Sequence, residues 1–209
     1  MKLYDYWRSS AAYRVRIALN LKQLNVEKLE VDLRGGVQRG DDYRSVNAAG
    51  LVPSLDLEPG VLRQSMAIIE YLDETWPEPP LLPTAPLARA QVRALAMDIA
   101  CDMHPLNNLR VLNRLKSQFS ADEQAVNDWY HHWLKQGFDA LELEAGQCNS
   151  GDWFVANQLS LVDVVLIPQI YNALRFNFDM APYPRLMHIY DAANHLDAFW
   201  SAAPEQCAP

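Results

Sequence analysis

Trp7-Arg8-Ser9-Ser10-Ala11-Ala12-Tyr13-Arg14-Val15-Arg16-Ile17-Ala18-Leu19 decides the reading of this chain. The stretch begins where an apolar, strand-like run (Leu3, Tyr4, Tyr6, Trp7) stops. It ends inside a helical pattern in which Val15, Ile17, Ala18, Leu19 and Leu21 lie mostly on one face. The two serines stand at the junction, where a helix N-cap is expected. The first N–H groups of a helix have no partner within it and carry partial positive charge. Such a turn suits an anion, for example a thiolate, and a serine hydroxyl there can donate one more hydrogen bond to sulfur. Arg8 adds a positive charge that no deprotonation removes. By themselves these residues are better read as an ordinary serine-capped helix preceded by a solvated arginine, since such helices are common, so the decision rests with the rest of the chain.

Outward from this turn, residues 2–7 read as a strand and 10–22 as a helix. Val26-Glu27-Lys28-Leu29-Glu30-Val31 alternates apolar and charged residues, which predicts a second strand. Residues 33–50 are polar, carry four glycines and leave room for a short helix around Tyr43. Leu51 to Leu57 alternates again and predicts a third strand, with Pro53 at its start because proline donates nothing to a ladder. Glu58-Pro59-Gly60 reads as a turn and Val61-Leu62 as a short fourth strand. Ser65 then opens a helix carrying Ile68, Ile69, Tyr71 and Leu72, which Pro77 ends. This β-α-β-α-β-β-α order predicts a mixed four-stranded sheet with helices packed on it.

Between Trp76 and Leu87 stand Pro77, Pro79, Pro80, Pro83 and Pro86, the composition of a stiff, extended linker. The domain boundary is placed there, with an α/β domain over 1–80 and an all-α domain over 87–209. The second domain reads as helices over 87–118, 122–147 and 160–176 and a shorter one after Pro184. Pro105 is expected to kink the first of these. Ser160-x-x-Asp163 before Val164 to Ile167 has the pattern of a capping box, read as structural.

Composition narrows the classes. The chain has 209 residues, half of them hydrophobic, enough for a full core, and no apolar run long enough to cross a membrane. Asp5 and Arg8 interrupt the first residues, against a secretory leader, so a cytoplasmic protein without a membrane partner is expected. A net charge of −8 and a pI near 5.0 argue against a nucleic-acid binder, which presents a basic face. Three widely spaced cysteines and five histidines provide no metal motif; no metal is expected.

Four motifs in order resemble the zeta class of glutathione transferases, the family that includes maleylacetoacetate isomerase and maleylpyruvate isomerase. Ser9-Ser10-x-x-x-Arg14-Val15-Arg16-Ile17-Ala18-Leu19 is similar to that class's Ser-Ser-Cys-x-x-Arg-Val-Arg-Ile-Ala-Leu signature. Val52-Pro53 and Gln64-Ser65 match the glutathione-binding positions of its thioredoxin-like domain. Asp102 to Leu112 resembles a segment of the bacterial isomerases, and Arg175-Phe176 with Pro182-Tyr183-Pro184 matches near the C-terminus. There are two departures: Ala11 replaces the signature cysteine, so no protein thiol serves there, and Asn47-Ala48-Ala49-Gly50-Leu51 replaces the usual Asn-Pro-x-x-Gln. Leucine before Val-Pro resembles the maleylpyruvate branch.

The resemblance implies a glutathione transferase fold, a thioredoxin-like domain followed by an all-α domain, with glutathione as cofactor. It implies a glutathione-dependent cis–trans isomerase of a maleyl-type dicarboxylate; glutathione transfer to small α-halo acids and a non-catalytic relative are the alternatives. Ser9 is the expected hydroxyl nearest the sulfur, Ser10 the next, and Arg8 the supporting cation. Ser9, Ser10, Ala11, Gln38, Val52, Pro53 (expected cis), Gln64, Ser65, His104 and Asn108 are the expected glutathione contacts. Arg8, His104, Asn108, Arg110 and Arg175 are the expected dicarboxylate contacts, since arginine grips carboxylates through a planar fork. His104 and Asn108, four apart, are expected on one helical face. Arg110 lies about 240° round an ideal helix from His104 and shares that face only if Pro105 distorts the helix or the long side chain bends back. A homodimer is expected by analogy of fold.

Overall fold

In a computed structural model, residues 1–58 and 60–209 are described; Pro59, in the expected Glu58-Pro59-Gly60 turn, lies outside the described residues. The chain falls into two compact units, one made of Met1–Pro80 with Asn194–Pro209, the other of Leu81–Ala193.

The first unit runs β1 (Lys2–Asp5), α1 (Ser10–Leu21), β2 (Glu27–Glu30), a 3₁₀ turn (Val37–Arg39), α2 (Asp41–Val46), β3 (Ser54–Leu57), β4 (Gly60–Arg63) and α3 (Ser65–Thr75). The sheet order is β2-β1-β3-β4. β1 pairs parallel with β2 and antiparallel with β3, and β3 antiparallel with β4. This is the mixed sheet of a thioredoxin-like domain. α1 is buried on every side: Ala12, Val15, Ile17 and Ala18 are inaccessible, and even Arg14 and Arg16 are only 1% exposed. Leu3 and Leu55 of the sheet and Ile68, Ile69 and Leu72 of α3 complete this core. The third strand starts at Ser54 rather than Leu51, because the carbonyl of Leu51 is taken by side chains instead of a ladder.

The last residues, expected to go with the helices after residue 87, pack in the first unit. Beyond α8 (Pro184–Asn194), two short helices, α9 (Asp197–Trp200) and α10 (Pro204–Cys207), follow. Asn20 Nδ2 donates to Ala198 O and Ser201 Oγ, both at 3.0 Å, and Tyr13 OH to Phe199 O at 3.4 Å. Short helices of this length leave no periodic signal in a sequence.

The second unit is helical: α4 (Pro86–Met97), a π-helical turn (Asp98–Met103), α5 (Leu109–Phe119), α6 (Glu123–Gln147), α7 (Leu161–Arg175) and most of α8. α7 is its centre, with Val162 and Val164 to Ile167 all inaccessible, as an all-round apolar helix requires. The capping box at its start is formed: Ser160 N donates to Asp163 Oδ2 at 2.8 Å and Val162 N to Ser160 Oγ at 3.3 Å. Pro105 does more than kink the expected 87–118 helix. The chain leaves α4 through the π-helical turn, closes it with His104 N on Ile99 O at 2.9 Å, and restarts as α5 only at Leu109. Gly137 of α6 admits that turn, since a Cβ there would lie 2.2 Å from the sulfur of Met103. Among the described residues no helix is long and apolar enough to cross a membrane, and no cluster of His, Cys, Asp or Glu is placed to hold a metal ion.

Candidate active site

Strand register gathers the sequence motifs of the first unit at one end of the sheet. Tyr4 of β1 stands opposite Ser54 of β3, and Ser54 opposite Arg63 of β4. Since β3 is antiparallel to both neighbours, the end of β1 (leading to Ser9), the start of β3 (after Val52-Pro53) and the end of β4 (before Gln64-Ser65) coincide. Asp5 faces Glu30 in the parallel pair, so the loop carrying Gln38 leaves from the same end. Three motifs separated by some fifty residues are thereby brought together by pairing alone.

The serine turn has the geometry its sequence asked for, with the cap at Ser9. Ser9 is extended (φ −73°, ψ 118°) and its Oγ accepts the Ala12 N–H at 3.2 Å. Ser10 is the first residue inside α1 and is buried, and Ala11 follows it, half-buried. An N-cap hydroxyl that accepts through oxygen retains its own proton to donate, so Ser9 can donate to a thiolate while keeping the helix capped. Arg8 is half-buried, its guanidinium 4.1 Å from the Trp7 ring centroid.

The Val52-Pro53 bond is cis, as expected. What holds this corner was not legible in the sequence. Tyr43 OH and Asn47 Nδ2 both donate to Leu51 O at 2.7 Å, and Ser54 Oγ lies 3.0 Å from Tyr43 OH and 3.2 Å from Asn47 Nδ2. Burial of the Tyr43 phenol raises its pKa, which keeps it a donor. The one local signal was Asn47, whose Oδ1 takes the Ala49 N–H in an Asx turn. Gly50 sits at φ +61°, and a Cβ there would meet Gln38 O at 2.7 Å. This glycine lets the Gln38 turn lie against the corner. Gln38 itself is buried; its Nε2 donates to Leu33 O at 3.3 Å, while its Oε1 has no hydrogen-bond partner among the described residues.

Gln64 precedes α3 at φ 71°, ψ 120°, a region that side-chain-bearing residues occupy at a cost of about 1–3 kcal/mol, typically at ligand sites. It turns the chain so that Ser65 begins α3, buried, with its N–H in the helix's first turn. Arg14 NH1 lies 3.5 Å from Ser65 Oγ and ties α1 to this helix end.

The remaining expected residues belong to the second unit. His104 ends the π-helical turn and Asn108 caps α5, its Oδ1 accepting the Arg110 N–H at 3.1 Å. The two are therefore not neighbours on one helical face: the chain between them is non-helical, because proline at 105 cannot continue the ladder. The ideal-helix angle to Arg110 lapses for the same reason. Asn107 Nδ2 and Trp129 Nε1 pin this connection to α6, donating to Tyr130 O at 3.1 Å and to Leu106 O at 2.9 Å. Tyr130 in turn stacks on Phe176, ring centroids 4.1 Å apart. Arg175, at the end of α7, is exposed; its Nε and NH2 donate to Asn172 Oδ1 at 3.2 and 2.8 Å and its guanidinium lies 4.8 Å from the Phe176 ring centroid.

Comparison with known proteins shows the family. The glutathione S-transferase N-terminal domain family matches residues 1–74. A probable maleylacetoacetate isomerase of Vibrio cholerae is 51% identical over 205 residues, covering 97% of this chain and 95% of that protein. The holo structure of a maleylpyruvate isomerase, a bacterial zeta-class glutathione S-transferase, superposes with a TM-score of 0.96 at 43% identity, over 99% of this chain and 98% of that one. A maleylacetoacetate isomerase from Methylobacterium extorquens AM1, with bound malonate and glutathione (GSH), matches at a TM-score of 0.96 and 37% identity, over 100% of both chains. A thioredoxin-like sheet followed by helices, together with the match over residues 1–74, makes the chain a glutathione transferase in fold. Within that class, the chain belongs to the zeta-class family of maleylacetoacetate and maleylpyruvate isomerases.

Proposed function

We propose that this protein is a glutathione-dependent cis–trans isomerase that converts maleylacetoacetate to fumarylacetoacetate in aromatic amino-acid or aromatic-compound catabolism. The observation that carries the reading is the Ser9 cap. Its oxygen accepts from Ala12 N–H at 3.2 Å, and its proton remains for a sulfur anion at the positive end of α1.

The residues of the first unit fit the cofactor. Gln38 Oε1 is a buried acceptor without a partner among the described residues, as a group serving a peptide ligand's N–H would be. Val52 offers its backbone to the cysteinyl portion beside the cis bond, and Gln64 and Ser65 offer a helix start to a carboxylate. Bound glutathione supplies a reversible nucleophile to the conjugated cis double bond and is regenerated. Ser9, seconded by Ser10, holds the thiol ionised. Arg8, Arg110 and Arg175 carry fixed positive charge for the dicarboxylate and for charge that develops during the reaction, and His104 and Asn108 add polar contacts. The bound malonate of the Methylobacterium relative, itself a dicarboxylate, favours this class of substrate. We assign the protein to the cytoplasm as a homodimer on the same reading.

Maleylpyruvate is the second reading, favoured by Leu51 before Val52-Pro53 and by likeness to a maleylpyruvate isomerase. The test is turnover of each maleyl substrate with substoichiometric glutathione, following the trans product and the remaining free thiol. Product with thiol conserved supports the isomerase, and the ratio of kcat/KM names the substrate. Thiol consumed with a small α-halo acid, and neither maleyl compound turned over, replaces the reading with a transferase.

A further inference from the structure

Arg16 is a charged side chain with 1% exposure, and no step of the proposed chemistry uses it. Its guanidinium reaches three separate parts of the first unit. NH1 donates to Asp5 Oδ1 at 2.7 Å, at the end of β1. NH2 donates to Trp7 O at 2.9 Å, in the turn that leads to Ser9. Nε donates to Ala202 O at 2.9 Å, in the C-terminal segment.

The Trp7 carbonyl belongs to the peptide that joins Trp7 to Arg8, so its orientation sets where Arg8 leaves the strand. Ser9 N donates to Tyr6 O at 2.8 Å. The turn of Trp7, Arg8 and Ser9 is thus pinned at successive peptides, through the Trp7 carbonyl and the Ser9 N–H, and Arg16 supplies a charge-assisted contact to it. A guanidinium suits this because its donors lie in one plane at fixed angles and it cannot lose its proton. Three acceptors in three segments match that fork; a single ammonium does not reproduce it. A buried Asp–Arg pair alone is weak evidence for stability, but here two of the three acceptors are backbone carbonyls whose positions the arginine determines.

We propose that Arg16 is a positioning residue for the Ser9 turn: it fixes the Trp7 peptide, and through Ala202 it makes the C-terminal segment part of the support of the candidate active site. This rests on the proposed function for its catalytic consequence, not for its structural one. Ser9 set by a firmly held peptide meets sulfur in one geometry; released, the turn samples several, and misplacement is costly in rate.

The test compares Arg16→Lys with Asp5→Asn, which keeps an oxygen acceptor for Arg16 and removes only the buried charge. Three quantities are read: amide hydrogen exchange of Arg8 to Ala11 without ligand, the pH midpoint of thiolate absorbance of bound glutathione, and kcat and KM for the maleyl substrate. Arg16→Lys is expected to speed exchange at these amides and lower kcat by roughly tenfold or more, and to raise the thiolate midpoint by about one pH unit. KM for the dicarboxylate should stay within about twofold. Asp5→Asn is expected to melt earlier with the midpoint unchanged. An Arg16→Lys protein that melts earlier but keeps exchange, midpoint and kcat overturns the proposal, since that is what a purely structural ion pair does. If Arg16→Lys does not fold, a chain ending at Ser201 is measured in the same way, and an unaltered turn there also overturns it. Absence of glutathione binding in the unaltered protein sinks the proposed function instead, and the exchange measurement still decides the role of Arg16.

Discussion

Ser9 Oγ and the Ala12 N–H stand 3.2 Å apart as cap and capped group of α1. Replacing Ser9 with alanine removes both the cap and the hydroxyl proton. Loss of the cap costs about 1 kcal/mol of stability. Loss of a preorganised donor to the reacting anion is expected to lower kcat/KM by roughly 10²-fold, with the thiolate midpoint displaced upward. Threonine at position 9 should recover most of both. A Ser9→Ala enzyme with kcat/KM near normal would transfer the role to Ser10.

Gln64 is held at φ 71°, ψ 120°, where glycine is relaxed and glutamine is not. Gln64→Gly is therefore expected to stabilise the folded protein by about 1 kcal/mol, the relief of strain being partly offset by glycine's entropy. Glutathione affinity should fall by roughly fivefold as a charge-assisted contact is lost. Urea unfolding and calorimetric titration measure the two. A drop in stability would mean that the Gln64 side chain contributes more to the fold than its backbone costs.

Arg175 presents two of its nitrogens to Asn172 Oδ1 and lies against the Phe176 ring, so its guanidinium is oriented before any substrate arrives. Arg175→Lys retains the charge and loses the fork. KM for the maleyl dicarboxylate is expected to rise roughly tenfold, with kcat changed less. Steady-state kinetics on the preferred substrate decides; an unchanged KM removes Arg175 from the substrate contacts.

Asp163 is fully buried, and burial raises its pKa from 3.8 to about 6 against the pull of hydrogen bonds from Phe154 N, Ser160 N and Ser160 Oγ. Between these values the folded state binds a proton that the unfolded state has released. Stability contributed by this group is therefore greatest at low pH and declines as pH rises through about 6, by about 3 kcal/mol at 1.36 kcal/mol per pKa unit. Asp163→Asn removes that slope. Denaturant unfolding of both proteins between about pH 4 and 7 should show the unaltered protein losing stability relative to the variant as pH rises; parallel curves would refute the assignment.

The amino-acid order alone determined the succession of strands and α-helices over residues 1–80, the cap at Ser9 and the capping box at Ser160. Each is governed by periodicity or by contacts a few residues apart, so the signal is local. Glutathione-site candidates in the first unit were legible for the same reason, as turn and cap motifs. Only the tertiary structure decided that antiparallel pairing of β3 puts Val52-Pro53 and Gln64-Ser65 at the end of the sheet where β1 delivers Ser9. It also decided that Pro105 separates His104 from Asn108 rather than bending one helix, since the break is accommodated by Met103 against Gly137 of a different helix. Arg16 is the sharpest case. Its sequence neighbours make it one more residue of a helix, whereas its role is set by Asp5, Trp7 and Ala202, and the last of these lies 186 residues away, where no local pattern reaches.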